Sequence, residues 1–235
     1  MRGFSARLAA SGVALLLLGV ASVALAADVG ALVAPLLAAR ERGLFGGIEG
    51  RAYAEGRPGE EPIPYASVSV LLLPRSATFE AELEAIKTHS RDSADAYIEA
   101  EPKLSAARRA FERTLIEAGA GQLILGGSSD PAGVFRFQRV PEGAWILLAW
   151  RETPHAKRPV TLKRADAEHY KGRAQIFGQT IVTYWWKPVV VKVGEEATVR
   201  IHDRNEWMTG VREDRRVPTQ GPPVAPPLQQ GAAPR

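Results

Sequence analysis

From Arg75 to Ala118 the chain has no glycine and a single proline, Pro102, while glycine and proline punctuate the sequence on both sides. Any fold must therefore hold a long helical stretch inside strand-forming sequence. Within that stretch Phe79, Leu83 and Ile86 fall at i, i+4 and i+7, and Leu104, Ala107, Phe111 and Leu115 form a second stripe. Pro102 is predicted in the first turn of a second helix, where its missing N–H costs nothing. Gly119-Ala120-Gly121 closes the stretch. The reading is a helical hairpin over 75–120. An acidic first helix (Glu80, Glu82, Glu84, Asp92, Asp95, Glu99, Glu101) faces a basic second one (Lys103, Arg108, Arg109, Arg113). Such a hairpin is either a solvated arm or an arm for self-association or partner docking. Insertions into loops cost little closure entropy, so it is expected to be removable without unfolding the rest.

Around the insert the period is two. Phe45 to Ala54, Tyr65 to Leu73, Val134 to Val140, Ala144 to Trp150, Thr180 to Trp186, Val189 to Val193 and Ala197 to Ile201 read as strands, with shorter ones at Leu123-Ile124-Leu125 and Val160-Thr161-Leu162. Gly126 to Gly133 reads as a long turn. The fold expected is mainly β: a Greek-key β-sandwich of about seven to nine strands over 43–210, interrupted by the helical hairpin.

The two ends read differently. Residues 1–27 place Arg2 and Arg7 before a charge-free apolar run that ends in Ala24-Leu25-Ala26, the pattern of a secretory signal cleaved near Ala27 or Asp28. The alternative is an uncleaved anchor, since a run of about twenty residues is just long enough to span. Export to the periplasm or the exterior is the expectation, with no membrane span after cleavage. Residues 217–235 hold six prolines and no acid, and read as a disordered tail. Without Arg2 and Arg7, the 30 basic residues fall to 28 against 26 acidic ones. A nearly neutral exported protein is a poor candidate for nucleic acid.

Residue chemistry narrows the work further. Zero cysteines exclude a disulfide scaffold, a thiolate metal site and a thiol nucleophile, and four scattered histidines leave little for a metal. No nucleophile elbow, phosphate loop or zinc-protease helix motif is present. No catalytic residue, metal or cofactor is assigned.

Gly50-Arg51-Ala52, Pro64-Tyr65-Ala66-Ser67-Val68, Ser129-Asp130-Pro131-Ala132-Gly133-Val134-Phe135-Arg136-Phe137 and Val140-Pro141-Glu142-Gly143-Ala144-Trp145 occur in order. With the hairpin-like Val189 to Val199, they resemble the carboxypeptidase regulatory-like domain, a prealbumin-like (transthyretin-like) sandwich also grouped with carbohydrate-binding-like folds. The resemblance implies a fold and little about function. It departs from the family at the insert and over Arg151 to Pro188. Asp130 is expected to cap its own turn, Gly133 to take positive φ, and Phe135 and Phe137 to fill the core. Similar folds carry iron dioxygenases, for which His169, Tyr170, Tyr184 and His202 offer the residue types at the wrong spacing. They also carry hydrolases ending in Tyr-Arg-Gly-Ser, which is absent. A metal-dependent enzyme is the disfavoured alternative.

What remains is recognition of a protein or a carbohydrate surface in the cell envelope. Tyr184-Trp185-Trp186-Lys187, with Trp207, is the candidate binding set. Adjacent strand residues point to opposite faces, so one indole is expected in the sandwich interior and the other toward solvent or the helical insert. Exposure of the second would make a carbohydrate-binding module. The basic stretch Arg151 to Arg173, with seven Lys/Arg against three acids, is a second candidate contact for an anionic glycan or lipid headgroup.

Overall fold

Strand β1, Phe45–Ala54, is the spine of a four-stranded sheet. It pairs antiparallel with β2 (Ile63–Pro64) and β5 (Val134–Pro141), and parallel with β8 (Glu196–His202). A five-stranded sheet runs in the order β4 (Leu125–Ser128), β3 (Ser69–Pro74), β6 (Gly143–Ala156), β7 (Gln175–Val191), β9 (Met208–Arg216). The chain passes repeatedly from one sheet to the other, as Greek-key connections require. This computed structural model describes residues 29–156 and 175–216. The leader over 1–27, the strand at Val160-Thr161-Leu162, the tail over 217–235 and most of the basic stretch lie outside the described residues. No helix among the described residues is long and apolar enough to cross a membrane.

Contacts divide the chain into two units. The first holds the sandwich and helices, with described residues 29–153 and 181–212. The second contains, among its described residues, the ends of β6, β7 and β9 over 154–156, 175–180 and 213–216.

The Asp130 turn sets the register of β5. Asp130 Oδ1 accepts from the N–H groups of Ala132 (2.9 Å) and Val134 (2.8 Å). Gly133 has φ +75°, and its carbonyl accepts from Ala52 N at 2.7 Å. A side chain there would have its Cβ 2.2 Å from the Ala52 oxygen, so only glycine fits. Phe135 and Phe137 are buried as expected, edge to face at 6.5 Å. The Phe135 ring lies directly over Gly50, its cross-strand partner, and occupies the space a side chain would take. Ser129 ties the turn to β3: its buried hydroxyl donates to the Tyr65 carbonyl (2.7 Å) and accepts from Val68 N (2.9 Å). Ser67, between them, sits at φ +57°, which is why β3 begins at Ser69 and not at Tyr65.

The helical hairpin differs from expectation in two ways. Helix α2 spans Ala77–His89 and α3 spans Ala94–Glu117, so the break lies at Ser90–Ser93 and Pro102 is inside α3. Cap chemistry outweighs proline here. The Ser76 and Ser93 hydroxyls accept from Phe79 N and Ala96 N, satisfying donors that an uncapped first turn would leave orphaned. The acidic and basic residues are consequently not sorted by helix: α3 carries Asp95, Glu99 and Glu101 as well as the arginines. The hairpin is also not a solvated arm. Phe79, near the start of α2, stacks at 4.4 Å on Phe111, near the end of α3, as in an antiparallel pair. Phe79, Leu83, Leu104, Phe111 and Leu115 are buried in the same cluster as the sandwich core. Two apolar faces on one sheet are possible because Val70–Leu73 of β3 and Trp145–Ala149 of β6 are continuous apolar runs, Leu71 opposite Leu148 on one face and Leu72 opposite Leu147 on the other.

Two elements were not anticipated. A helix α1 over residues 29–41 buries Val29, Val33, Leu36 and Ala39, and Leu36 closes over Gly143, where a Cβ would sit 2.3 Å from Leu36 Cδ2. Strand β9 follows Trp207, whose N–H donates to the Tyr184 carbonyl at 2.8 Å. Strand β7 runs unbroken from Gln175 to Val191 through Pro188, one strand where two were expected.

Candidate functional site

Strand alternation separates the two central indoles. Trp185 points between the sheets, is 1% exposed, donates its Nε1–H to the His202 carbonyl at 2.8 Å and lies 6.2 Å from the Tyr65 ring. Tyr184 and Trp186 face the helices. Tyr184 is buried and donates its hydroxyl to Glu101 Oε1 at 3.2 Å. Burial, foremost, pushes the phenol up to about 12, and the Glu101 carboxylate adds to it. Glu101, itself 1% exposed, also accepts from Ser105 Oγ at 3.1 Å and lies 3.5 Å from Arg212 Nη1. This network pins α3 to β7 and β9, and the close approach of Glu101 to Gly210 leaves no room for a Cβ there.

Trp186 is half-buried, edge-on to Phe79 at 5.8 Å and tilted against Trp207 at 6.2 Å. Trp207, also half-buried, donates its Nε1–H to Glu84 Oε2 at 3.1 Å, and the Lys87 ammonium stands 5.1 Å from its ring centroid. Lys187 is half-buried beside them in sequence. The five residues singled out by sequence thus do not form one surface. Tyr184 and Trp185 are interior, on opposite faces of β7. Trp186 and Trp207 together make an aromatic edge where the hairpin meets the sheet, flanked by one positive and one negative side chain. The cation over the indole face and the bond at its Nε1 hold the Trp207 ring in place.

The outer face of the four-stranded sheet escaped the sequence reading. A hollow of about 450 Å³ is lined there by Glu49, Arg51, Tyr53, Pro62, Thr198 and Arg200, among others. Tyr53 stacks on His202 at 5.4 Å with 22° between the rings. Arg136 Nη2 donates to Glu49 at 2.8 Å. At the end of the face, Glu55 pairs with Arg204 at 2.8 Å and lies 3.2 Å from His202 Nδ1. That nitrogen is buried, and the contact is a hydrogen bond only when Nδ1 carries a proton. The parallel pairing of β1 with β8, far apart in sequence, builds this surface; residue patterns within either strand give no sign of it.

Of the residue types offered for iron, the two among the described residues, Tyr184 and His202, do not come together. Tyr184 lies beneath α3 while His202 ends β8 in the other sheet, and His169 and Tyr170 are outside the described residues. Among the described residues no cluster of three His, Asp or Glu side chains is placed to hold a metal.

No family model matches the chain, and no curated protein matches it. Among solved structures it is similar to a suggested carbohydrate-binding protein of Pseudomonas aeruginosa, at 14% identity and a TM-score of 0.36, covering 67% of this chain and 88% of that one. It is also similar to the pilus backbone of Streptococcus pneumoniae, at 13% identity and a TM-score of 0.20, covering 49% of this chain and 31% of that one.

Proposed function

We propose that this chain is an exported, non-enzymatic binding module of the cell envelope that recognises a protein or carbohydrate surface, built as a divergent carboxypeptidase regulatory-like domain. The observation that supports the reading best is the Trp186–Trp207 edge, with Lys87 over one ring and Glu84 on its Nε1. A partly exposed indole pair offers large contact area at little entropic cost, and adjacent charges of both signs suit either sugar hydroxyls or a polar peptide. Export rests on the leader pattern of residues 1–27, and the family on the Asp130 to Phe137 and Val140 to Gly143 runs.

The test is co-sedimentation of the purified protein with isolated cell-wall polysaccharide and, separately, with washed envelope membranes. Binding to one of the two is expected, and the Trp186→Ala/Trp207→Ala double variant should lose it while keeping a native circular dichroism spectrum. Undiminished binding by the folded double variant, or no binding by the native protein to either fraction, contradicts the proposal.

A further inference from the structure

Strand pairing on the four-stranded sheet sets two arginines side by side. Ile48 and Ala52 of β1 are fully buried, so Glu49, Arg51 and Tyr53 face outward. On β8, Val199 and Ile201 point inward, and Thr198 and Arg200 point out. The parallel register makes Arg51 and Arg200 direct partners. Adjacent strands lie ~4.8 Å apart, so both guanidinium groups stand over the same patch of sheet. Like charges directly opposite one another destabilise a sheet unless something offsets them. Among the described residues neither arginine has an ion-pair partner, although other arginines nearby do. Arg136 holds Glu49 and Arg204 holds Glu55. The pair also lines a hollow of about 450 Å³, the size of an ordinary small-ligand site.

We infer that this hollow binds a carboxylate-bearing sugar, a uronate residue of an acidic glycan, with Arg51 and Arg200 clamping the carboxylate. Guanidinium groups meet a carboxylate through paired N–H donors, which gives geometry as well as charge. The Tyr53 ring, fixed by its stack on His202, forms an aromatic wall against which a sugar ring packs. Thr198 and Glu49 supply an hydroxyl and a carboxylate for sugar hydroxyls. Glu49, held by Arg136 Nη2, keeps an oxygen to accept from sugar hydroxyls, and inorganic phosphate has no ring to lay against Tyr53, so the lining favours a uronate over phosphate. The site is separate from the Trp186–Trp207 edge and does not depend on it.

The experiment is a calorimetric titration of the full chain with an oligouronate, set against a neutral oligosaccharide of equal length and inorganic phosphate. Saturable oligouronate binding is expected in the micromolar to millimolar range and should weaken as salt is raised. Neither control should bind comparably. Arg51→Ala and Arg200→Ala should each weaken binding ~10-fold or more, while thermal midpoints stay level or rise because the repulsion is relieved. Tyr53→Ala should weaken the oligouronate too. Absence of oligouronate binding, insensitivity to both arginine substitutions, or phosphate binding of equal strength would each overturn the inference.

Discussion

Trp185→Ala should cost roughly 3–5 kcal/mol of unfolding free energy, because it empties a fully buried indole site between the sheets and leaves the His202 carbonyl without its donor. Trp186→Ala, one residue on, should cost about 1–2 kcal/mol, in keeping with a half-buried ring whose contacts are Phe79 and Trp207. Urea unfolding followed by far-ultraviolet circular dichroism measures both. The asymmetry is the informative quantity, since it reports which way β7 turns its two indoles. Equal costs would mean that the strand is in a different register or that both rings are interior.

Deleting Arg75–Ala120 and closing the gap with a short turn should abolish cooperative unfolding. The expectation from sequence was the reverse, because an insertion between strands is cheap to close. Packing overturns it. The hairpin covers the outer face of the five-stranded sheet, where Leu71, Leu73, Leu148, Tyr184 and Trp186 are buried or half-buried beneath it. Exposing five large side chains at about 1.5–3 kcal/mol each is a loss on the order of 10 kcal/mol. A domain of this kind has about 5–15 kcal/mol in total. A sigmoidal urea transition for the deletion variant would show instead that the hairpin is peripheral.

The strands flanked by Gly and Pro were legible because alternation and turn chemistry agree there: β1, β5 and β8 came out within a residue or two. Asp130 and Gly133 were legible for a local reason, a side chain bonding its own turn and a glycine at positive φ. The break in the hairpin was misplaced because Pro102 carries the louder signal, while Ser90 and Ser93 end one helix and start the next through caps. Helix α1 was missed although Val29, Val33 and Leu36 have its spacing, since the leader-like residues before it absorb the same apolar pattern. Strand β9, nearly all polar after Met208, has no periodicity to find. The candidate site divides the same way. Alternation predicts that Trp185 and Trp186 part company. Nothing local says that Trp207 comes to lie against Trp186, or that Arg51 meets Arg200, because both depend on which distant strands pair.

Binding at the Trp186–Trp207 edge, as proposed above, can be read at the indole N–H groups themselves. A two-dimensional 1H–15N spectrum tests it most directly, because the five tryptophans give separate indole N–H signals. Soluble cell-wall polysaccharide fragments, or a solubilised envelope extract, would be titrated into the labelled protein. The Trp186 and Trp207 signals should shift or broaden first, while the interior signals of Trp145 and Trp185 stay in place. Unchanged Trp186 and Trp207 signals at concentrations where binding is independently saturated would contradict it.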